Sequence, residues 1–175
     1  HGIRIQEEAT ALTVAISGDC SVPVVIGTAP VNMSEDPKAA VNVPILATSA
    51  TEAIKALGYS KDFKNYSLCQ MMYLTSNVYQ VSPVVYINVL DPAKHNKALA
   101  ETEVQVNDLQ AVLKVEGVIA DGLAVKAGTG STALTKDTDY AVSFDENGYL
   151  VISLTSNGAG KAATTLKVSG KQLDP

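Results

Sequence analysis

The rhythm of apolar and polar positions changes near residue 100, and the two rhythms predict two kinds of structure. Before this point, short β-branched runs at residues 22–29 and 83–89 flank two stretches with apolar residues at helical spacing. Continuous apolar runs of this length are typical of strands buried on both faces. A strand, helices and a second strand favour a right-handed crossover. The first half is therefore predicted to contain a parallel strand pair with crossover helices.

Sequence signals mark the ends of the two predicted helices. Ser49-Ala-Thr-Glu52 and Ser67-Leu-Cys-Gln70 both fit the capping box, in which a Ser precedes a Glu or Gln by three positions. Gly58 follows the last apolar position of the first helix and is expected to end it. The segment before the first helix is expected to be a loop because it contains three prolines, Pro30, Pro37 and Pro44.

After about residue 105 the helical period disappears, and short alternating runs separated by turn signals replace it. Such spacing is typical of a small sandwich or barrel. Asp145-Glu-Asn-Gly148 predicts a hairpin loop, since Asn and Gly readily adopt positive φ. The runs that predict strands are residues 111–116, 123–127, 140–144, 149–154 and 164–169.

The predicted fold class is an α/β N-terminal part with an incomplete core, followed by a small all-β sandwich or barrel module. Residues 1–21 are expected to form an N-terminal arm and lead-in, and residues 22–95 the α/β segment. Residues 96–105 are interpreted as a linker, because the polar stretch around them follows a turn-forming Asp91-Pro92. Residues 106–175 are the all-β module, placed as an insertion.

Composition and charge narrow the classes of partner. The chain has 175 residues, a formal net charge of −5 and no run of three basic residues. Binding to nucleic acid is therefore not expected. No apolar stretch approaches the roughly 18 residues that span a bilayer, so a soluble protein without a membrane partner is expected. Cys20 and Cys69 lie in apolar surroundings and are interpreted as free thiols in a reducing compartment, with a single disulfide between them as the alternative.

Candidate chemistry is sparse. His1 and His95 are the two histidines, one at the terminus and one in the polar segment before the predicted linker. The acidic pairs Glu7-Glu8 and Glu35-Asp36 have no enclosing apolar residues that would shift a pKa. No spacing of His, Cys and carboxylates predicts a metal site, and no glycine-rich motif fits a phosphate loop. We expect no catalytic residues, no cofactor and no metal, and hence a structural or binding role.

The first residues form a strand pattern that has no nearby hairpin partner. Apolar Ile3 and Ile5 alternate with polar Arg4 and Gln6. A strand of this kind must pair distantly or with another chain. The segment interpreted as an inter-subunit arm consists of Ile3, Arg4, Ile5, Gln6, Glu7 and Glu8.

Four segments in order resemble the N-terminal part of contractile tail sheath proteins, in particular those of Gram-positive prophages and phage-tail-like bacteriocins. The resemblance covers about residues 1–95, and the β module resembles that family's variable inserted domain in position and type. The matching segments are His1-Gly-Ile-Arg-Ile-Gln-Glu-Glu8, Val22-Pro-Val-Val-Ile-Gly-Thr-Ala-Pro30, Ala56-Leu-Gly-Tyr-Ser60 and Pro83-Val-Val-Tyr-Ile-Asn-Val-Leu-Asp-Pro-Ala-Lys94.

This resemblance implies a structural subunit that polymerises helically around an inner tube and drives its ejection on contraction. It implies other sheath subunits, the inner tail tube protein, the baseplate and the tail terminator as partners. It also implies assembly in a bacterial host cytoplasm and a place in a virion or a phage-tail-like particle. Sheath subunits of this family are much longer, so the chain is expected to be an N-terminal fragment. The alternative is a β-sandwich binding or adhesion module attached to an α/β domain.

Overall fold

The computed structural model describes residues 22–128 and 132–175. The first part of the described chain contains three strands and two α-helices: β1 (Val24–Gly27), β2 (Pro44–Ala47), α1 (Ala50–Leu57), α2 (Ser67–Tyr73) and β3 (Val84–Asn88). It also contains a 3-10 helix at Val31–Met33 and a π-helix at Leu74–Val78. The rest consists of strands: β4 (Asn96–Asn107), β5 (Gln110–Leu113), β6 (Ala124–Ala127), β7 (Thr132–Ala133), β8 (Tyr140–Phe144), β9 (Leu150–Leu154) and β10 (Thr165–Leu173). The described chain is thus mostly strands, and the α/β character of its first part is slight.

The first part forms a mixed three-stranded sheet in the order β1-β3-β2. β1 and β3 are parallel, as the sequence predicts. β2 pairs antiparallel with β3 in the segment that was expected to be a loop. Pro44 is the first residue of β2, and β2 is an edge strand, which is where a sheet tolerates a proline.

The two predicted capping boxes have different outcomes. Ser49 caps α1, because its hydroxyl accepts the Glu52 N–H at 3.3 Å. Gly58 ends α1 with a φ of 75°. The box at Ser67 is wrong, because Ser67 is already inside α2 and its hydroxyl accepts the Thr28 N–H at 3.1 Å instead. This bond ties the start of α2 to the end of β1.

The second part is one antiparallel sheet of seven strands in the order β7-β6-β10-β4-β5-β9-β8. The five predicted strand runs all contain strands. The sheet curls into a half-barrel around one apolar core, so it is not a two-sheet sandwich. Its most buried residues are Ala111, Leu113, Val118, Val125, Leu150, Ile152, Leu166 and Val168.

The prediction of a linker at residues 96–105 is wrong, because this segment lies in β4. β4 is the longest strand described, and it pairs with β10 from Asn96 to Gln105. Its charged residues are typical of a solvated linker, but Glu101 forms ion pairs with Lys167 of the adjacent β10 at 3.8 Å and with Lys126 of β6, one strand further, at 3.0 Å. The polar residues therefore belong to the exposed surface of a sheet.

The half-barrel contacts the first part of the chain directly. Leu173 at the end of β10 shares a buried cluster with Tyr66 and Cys69 near the start of α2. The His95 carbonyl just before β4 accepts the Asp174 N–H just after β10 at 3.0 Å. The two ends of the half-barrel therefore lie side by side where it joins the first sheet.

Candidate interaction surface

One face of the three-stranded sheet consists of apolar side chains that nothing in the described chain covers. The register places Val24 and Leu46 on either side of Val85, and Ile26 and Pro44 on either side of Ile87. Residues directly opposite each other in neighbouring strands point to the same face. We call this the outer sheet face, and it consists of Val24, Ile26, Pro44, Leu46, Val85 and Ile87.

The outer sheet face is exposed to an unusual degree for side chains of this kind. Val24 is 58%, Ile26 65% and Leu46 59% exposed. Exposed apolar side chains are ordinary when they are scattered, but a contiguous apolar patch marks an interaction surface. The expectation that β1 is buried on both faces is therefore wrong for the described chain.

The opposite face of the same sheet is covered in the usual way. Ala47, Val84 and Tyr86 are nearly fully buried against residues of α1 and α2, including Leu57 and Leu68. The hydroxyl groups of Tyr86 and Thr75 lie 2.7 Å apart, so the polar end of this tyrosine is satisfied. The sheet thus has one helix-covered face and one bare face.

A fully buried asparagine fixes the ends of β1 and β3. Asn88 is 0% exposed, and its Oδ1 accepts the N–H groups of Ala29 at 3.0 Å and Leu90 at 3.1 Å. Its Nδ2 donates to the carbonyls of Leu90 at 2.9 Å and Ala40 at 3.4 Å. Burying an amide is unfavourable unless it is hydrogen-bonded, and here both the oxygen and the nitrogen of the Asn88 side chain are hydrogen-bonded. Asn88 therefore holds the strands that carry the outer sheet face in a fixed relation.

The start of α1 is fixed by a carboxylate as well as by its Ser cap. Glu52 Oε2 accepts the backbone N–H and the hydroxyl of Thr48 at 2.8 and 2.7 Å. These hydrogen bonds stabilise the ionised form and lower the pKa of Glu52. They also connect α1 to the residue that directly follows β2.

The residues considered for chemistry do not form a reactive site in the described chain. Glu35 is in an exposed ion pair with Lys55 at 2.9 Å. His95 Nδ1 accepts the Asp91 N–H at 3.1 Å. Cys69 is buried as a free thiol, and burial raises its pKa to about 11. The arm residues 3–8 and Cys20 lie outside the described residues.

No cluster that could hold a metal ion is present among the His, Cys, Asp and Glu side chains of the described ranges. Nor do those ranges contain a helix that is both long enough and apolar enough to cross a membrane.

Comparison with known proteins gives this surface a context. The chain is 26% identical over all of its 175 residues to the tail sheath protein of Burkholderia phage BcepMu. The predicted resemblance to tail sheath proteins is confirmed. The chain spans 34% of the length of this tail sheath relative. No family model matches the sequence, and no solved structure matches it.

Sequence reasoning found the strands of the outer sheet face but not the face itself. Both β1 and β3 are apolar at every position between Val24 and Ile26 and between Val84 and Ile87, which is the signal of two-sided burial. The apolar pattern does not show which residues cover each face of the sheet. In the described chain the helices cover one side only.

Proposed function

We propose that the chain is part of a structural subunit of a contractile tail sheath. In this proposal the subunit polymerises helically around an inner tube and drives the ejection of that tube when the sheath contracts. The similarity to a tail sheath protein along the entire chain carries the proposal. The proposed partners are other sheath subunits, the inner tube protein, the baseplate and the tail terminator.

The outer sheet face supports a role in assembly. A face of six apolar side chains is unfavourable in water, and packing another polypeptide against it is favourable by about 25 cal/mol for each Å² of apolar surface buried. A sheath subunit requires such interfaces and does not require catalytic groups. We propose that further sheath polypeptide packs on this face, and that residues 3–8 act as an arm that links neighbouring subunits by strand addition.

The proposal is tested by negative-stain electron microscopy of the natural gene product that contains this sequence. Hollow tubes with a regular helical repeat are the expected result. Discrete small particles at every salt concentration would contradict the proposal.

The contribution of the outer sheet face is tested with Leu46→Lys in the same gene product. A lysine in this face would have to be buried on assembly, so we expect tubes to be lost while the subunit stays folded. Ala141→Lys is the matched control, because Ala141 is exposed on β8 in the half-barrel. Tubes formed equally by both variants would remove the outer sheet face from the proposal.

A further inference from the structure

β4 has a strand partner along its whole length on one side only. On one side it pairs with β10 from Asn96 to Gln105. On the other side β5 pairs with it only at its last two residues, Val106 and Asn107. Within the described ranges, residues 97–105 therefore have no strand paired on the β5 side, and residues 102–105 form a regular free edge up to the register shift opposite Ser169 of β10.

The direction of the backbone groups along this edge follows from one hydrogen bond. The Val106 N–H donates to the Thr164 carbonyl at 2.9 Å, so the polar groups of Val106 point toward the β10 side. Backbone groups alternate sides along a strand. The N–H and C=O of Glu103 and the N–H of Gln105 consequently point toward β5. No backbone partner for Glu103 is found in the described part of the chain.

A groove of about 650 Å³ lies where β4 and β5 separate. Its walls are residues 102–105 of β4 and residues 112–115 in and after β5. Val104 and Leu113, at 9% and 1% exposure, belong to the core beneath it. Glu103 and Lys114 on the two walls carry opposite charges, so the groove has no excess charge of either sign.

We propose that the free edge of β4 in this groove binds an extended strand from a partner polypeptide. The unpaired N–H and C=O of Glu103 and the unpaired N–H of Gln105 lie two residues apart and match the backbone of another strand, which offers groups at the same spacing. Alternate side chains of that strand would face Val104 and Leu113, so the ligand is a neutral strand with apolar residues at every second position. This inference goes beyond the proposed sheath role, because it assigns a binding site to the half-barrel. At that site the half-barrel would recognise a peptide through the peptide's main chain.

The test is a titration of the ¹⁵N-labelled chain, followed by its amide resonances, with the peptide acetyl-Thr-Val-Thr-Val-Thr-Val-amide. Recognition through the main chain tolerates sequence variation, so this neutral strand should bind at millimolar concentration. We expect the amide resonances of Glu103 and Gln105 to shift and their hydrogen exchange to slow. The same peptide with its central valine N-methylated lacks one donor and should bind more weakly.

Two variants locate the site. Gln105→Pro removes an N–H that points into the groove and leaves the β10 ladder complete, so it should weaken binding roughly fivefold, the loss of about one hydrogen bond. Ala133→Pro is the matched control, since Ala133 is exposed on edge strand β7 of the same sheet. The Leu134 N–H donates to the Val125 carbonyl, so the Ala133 N–H points away from β6, and its loss should leave binding unchanged. The dispersion of the amide spectrum shows whether each variant is folded.

Three results would overturn the inference. The first is the absence of shifts at Glu103 and Gln105 at millimolar peptide. The second is a set of shifts confined to β1, which would place strand addition in the other sheet. The third is slow exchange of the Glu103 amide before any peptide is added, which would mean that this edge is already paired.

Discussion

At the scale of single residues, the contacts that sequence reasoning could predict are those between near neighbours. Ser49 and Glu52 are three positions apart, and their capping interaction needs no information about the rest of the fold. Ser67 occupies an equally good local pattern, yet its hydroxyl bonds to Thr28, 39 positions away. A tertiary partner can therefore outcompete a local cap, and the local sequence contains no sign of it.

Asn88 provides a residue-scale prediction about stability. Replacing Asn88 with Leu removes the partners of four buried backbone groups, and such unsatisfied groups destabilise a protein by about 1–3 kcal/mol each. We expect Asn88→Leu to lower the free energy of unfolding by about 3 kcal/mol or more, measured by urea denaturation. Asn77→Ala is the control, since Asn77 is exposed, and a similar loss in both variants would contradict the argument.

Cys69 provides a prediction about pH. Burial raises the pKa of its thiol from 9.0 to about 11, so folding favours the protonated form. Its contribution to stability is complete below pH 9 and is lost as the pH rises from about 9 to about 11. We expect the free energy of unfolding to fall across this window, and to fall less steeply in Cys69→Ala.

The reactivity of Cys69 provides an independent check on the same burial. The native thiol should resist iodoacetamide at pH 8 and react once the chain is unfolded in urea, as mapped on the Cys69 peptide by mass spectrometry. Rapid labelling of this peptide in the native chain would contradict the buried position.

At the scale of helices and strands, the elements that were missed are those whose sequences depart from a simple pattern. β2 begins with Pro44, and prolines usually indicate loops. β4 carries Lys97 and Glu101, which resemble a solvated segment until their ion-pair partners are known. A register shift near Ser169 of β10 also interrupts the two-residue alternation that β4 would otherwise show. Strands with clean alternation, such as β8 and β9, were predicted.

The cap of α1 gives an element-scale prediction. Ser49→Ala removes the acceptor for the Glu52 N–H and should destabilise the chain by about 1 kcal/mol in thermal or urea unfolding. Thr51→Ala, inside the same helix, should be neutral or slightly stabilising because Ala has the higher helix propensity. Equal losses from the two changes would contradict the role assigned to the Ser49 cap.

Glu52 adds a pH dependence to the same element. Its pKa in the folded chain is lowered by the hydrogen bonds from Thr48, so its contribution is present above its ordinary pKa of 4.5 and is lost as the pH falls below it. We expect Glu52→Gln to reduce the loss of stability on acidification from pH 5. An unchanged acid profile in this variant would contradict the role assigned to the Thr48 hydrogen bonds.

At the scale of the whole molecule, the division into two kinds of structure was visible in the sequence, but the way the parts meet was not. The turn signals and alternation of the second half predict strands without reference to the first half. The contact between Leu173 and Tyr66 joins residues more than one hundred positions apart, and the spacing of apolar residues along the sequence does not predict it. The interpretation of residues 96–105 as a linker led to the expectation of two parts separated by a connecting segment.

The shared cluster predicts that the two sheets lose their structure together. Leu173→Ala should lower the free energy of unfolding by about 2–5 kcal/mol, since Leu173 is 3% exposed in that cluster. A single calorimetric transition is expected for the unmodified chain. Two separate transitions, with Leu173→Ala changing only the one that belongs to the half-barrel, would show that the sheets unfold independently.

The hydrogen bond between His95 and Asp174 has a consequence for how the molecule could be rebuilt. The first and last strands of the half-barrel, β4 and β10, pair with each other. Asn96 at the start of β4 therefore lies directly opposite Leu173 at the end of β10. Any compact domain whose own ends lie about 5 Å apart presents the same connection. A reporter or binding domain with adjacent termini could therefore be grafted between Asn96 and Leu173, with Leu173 retained in its buried cluster with Tyr66 and Cys69.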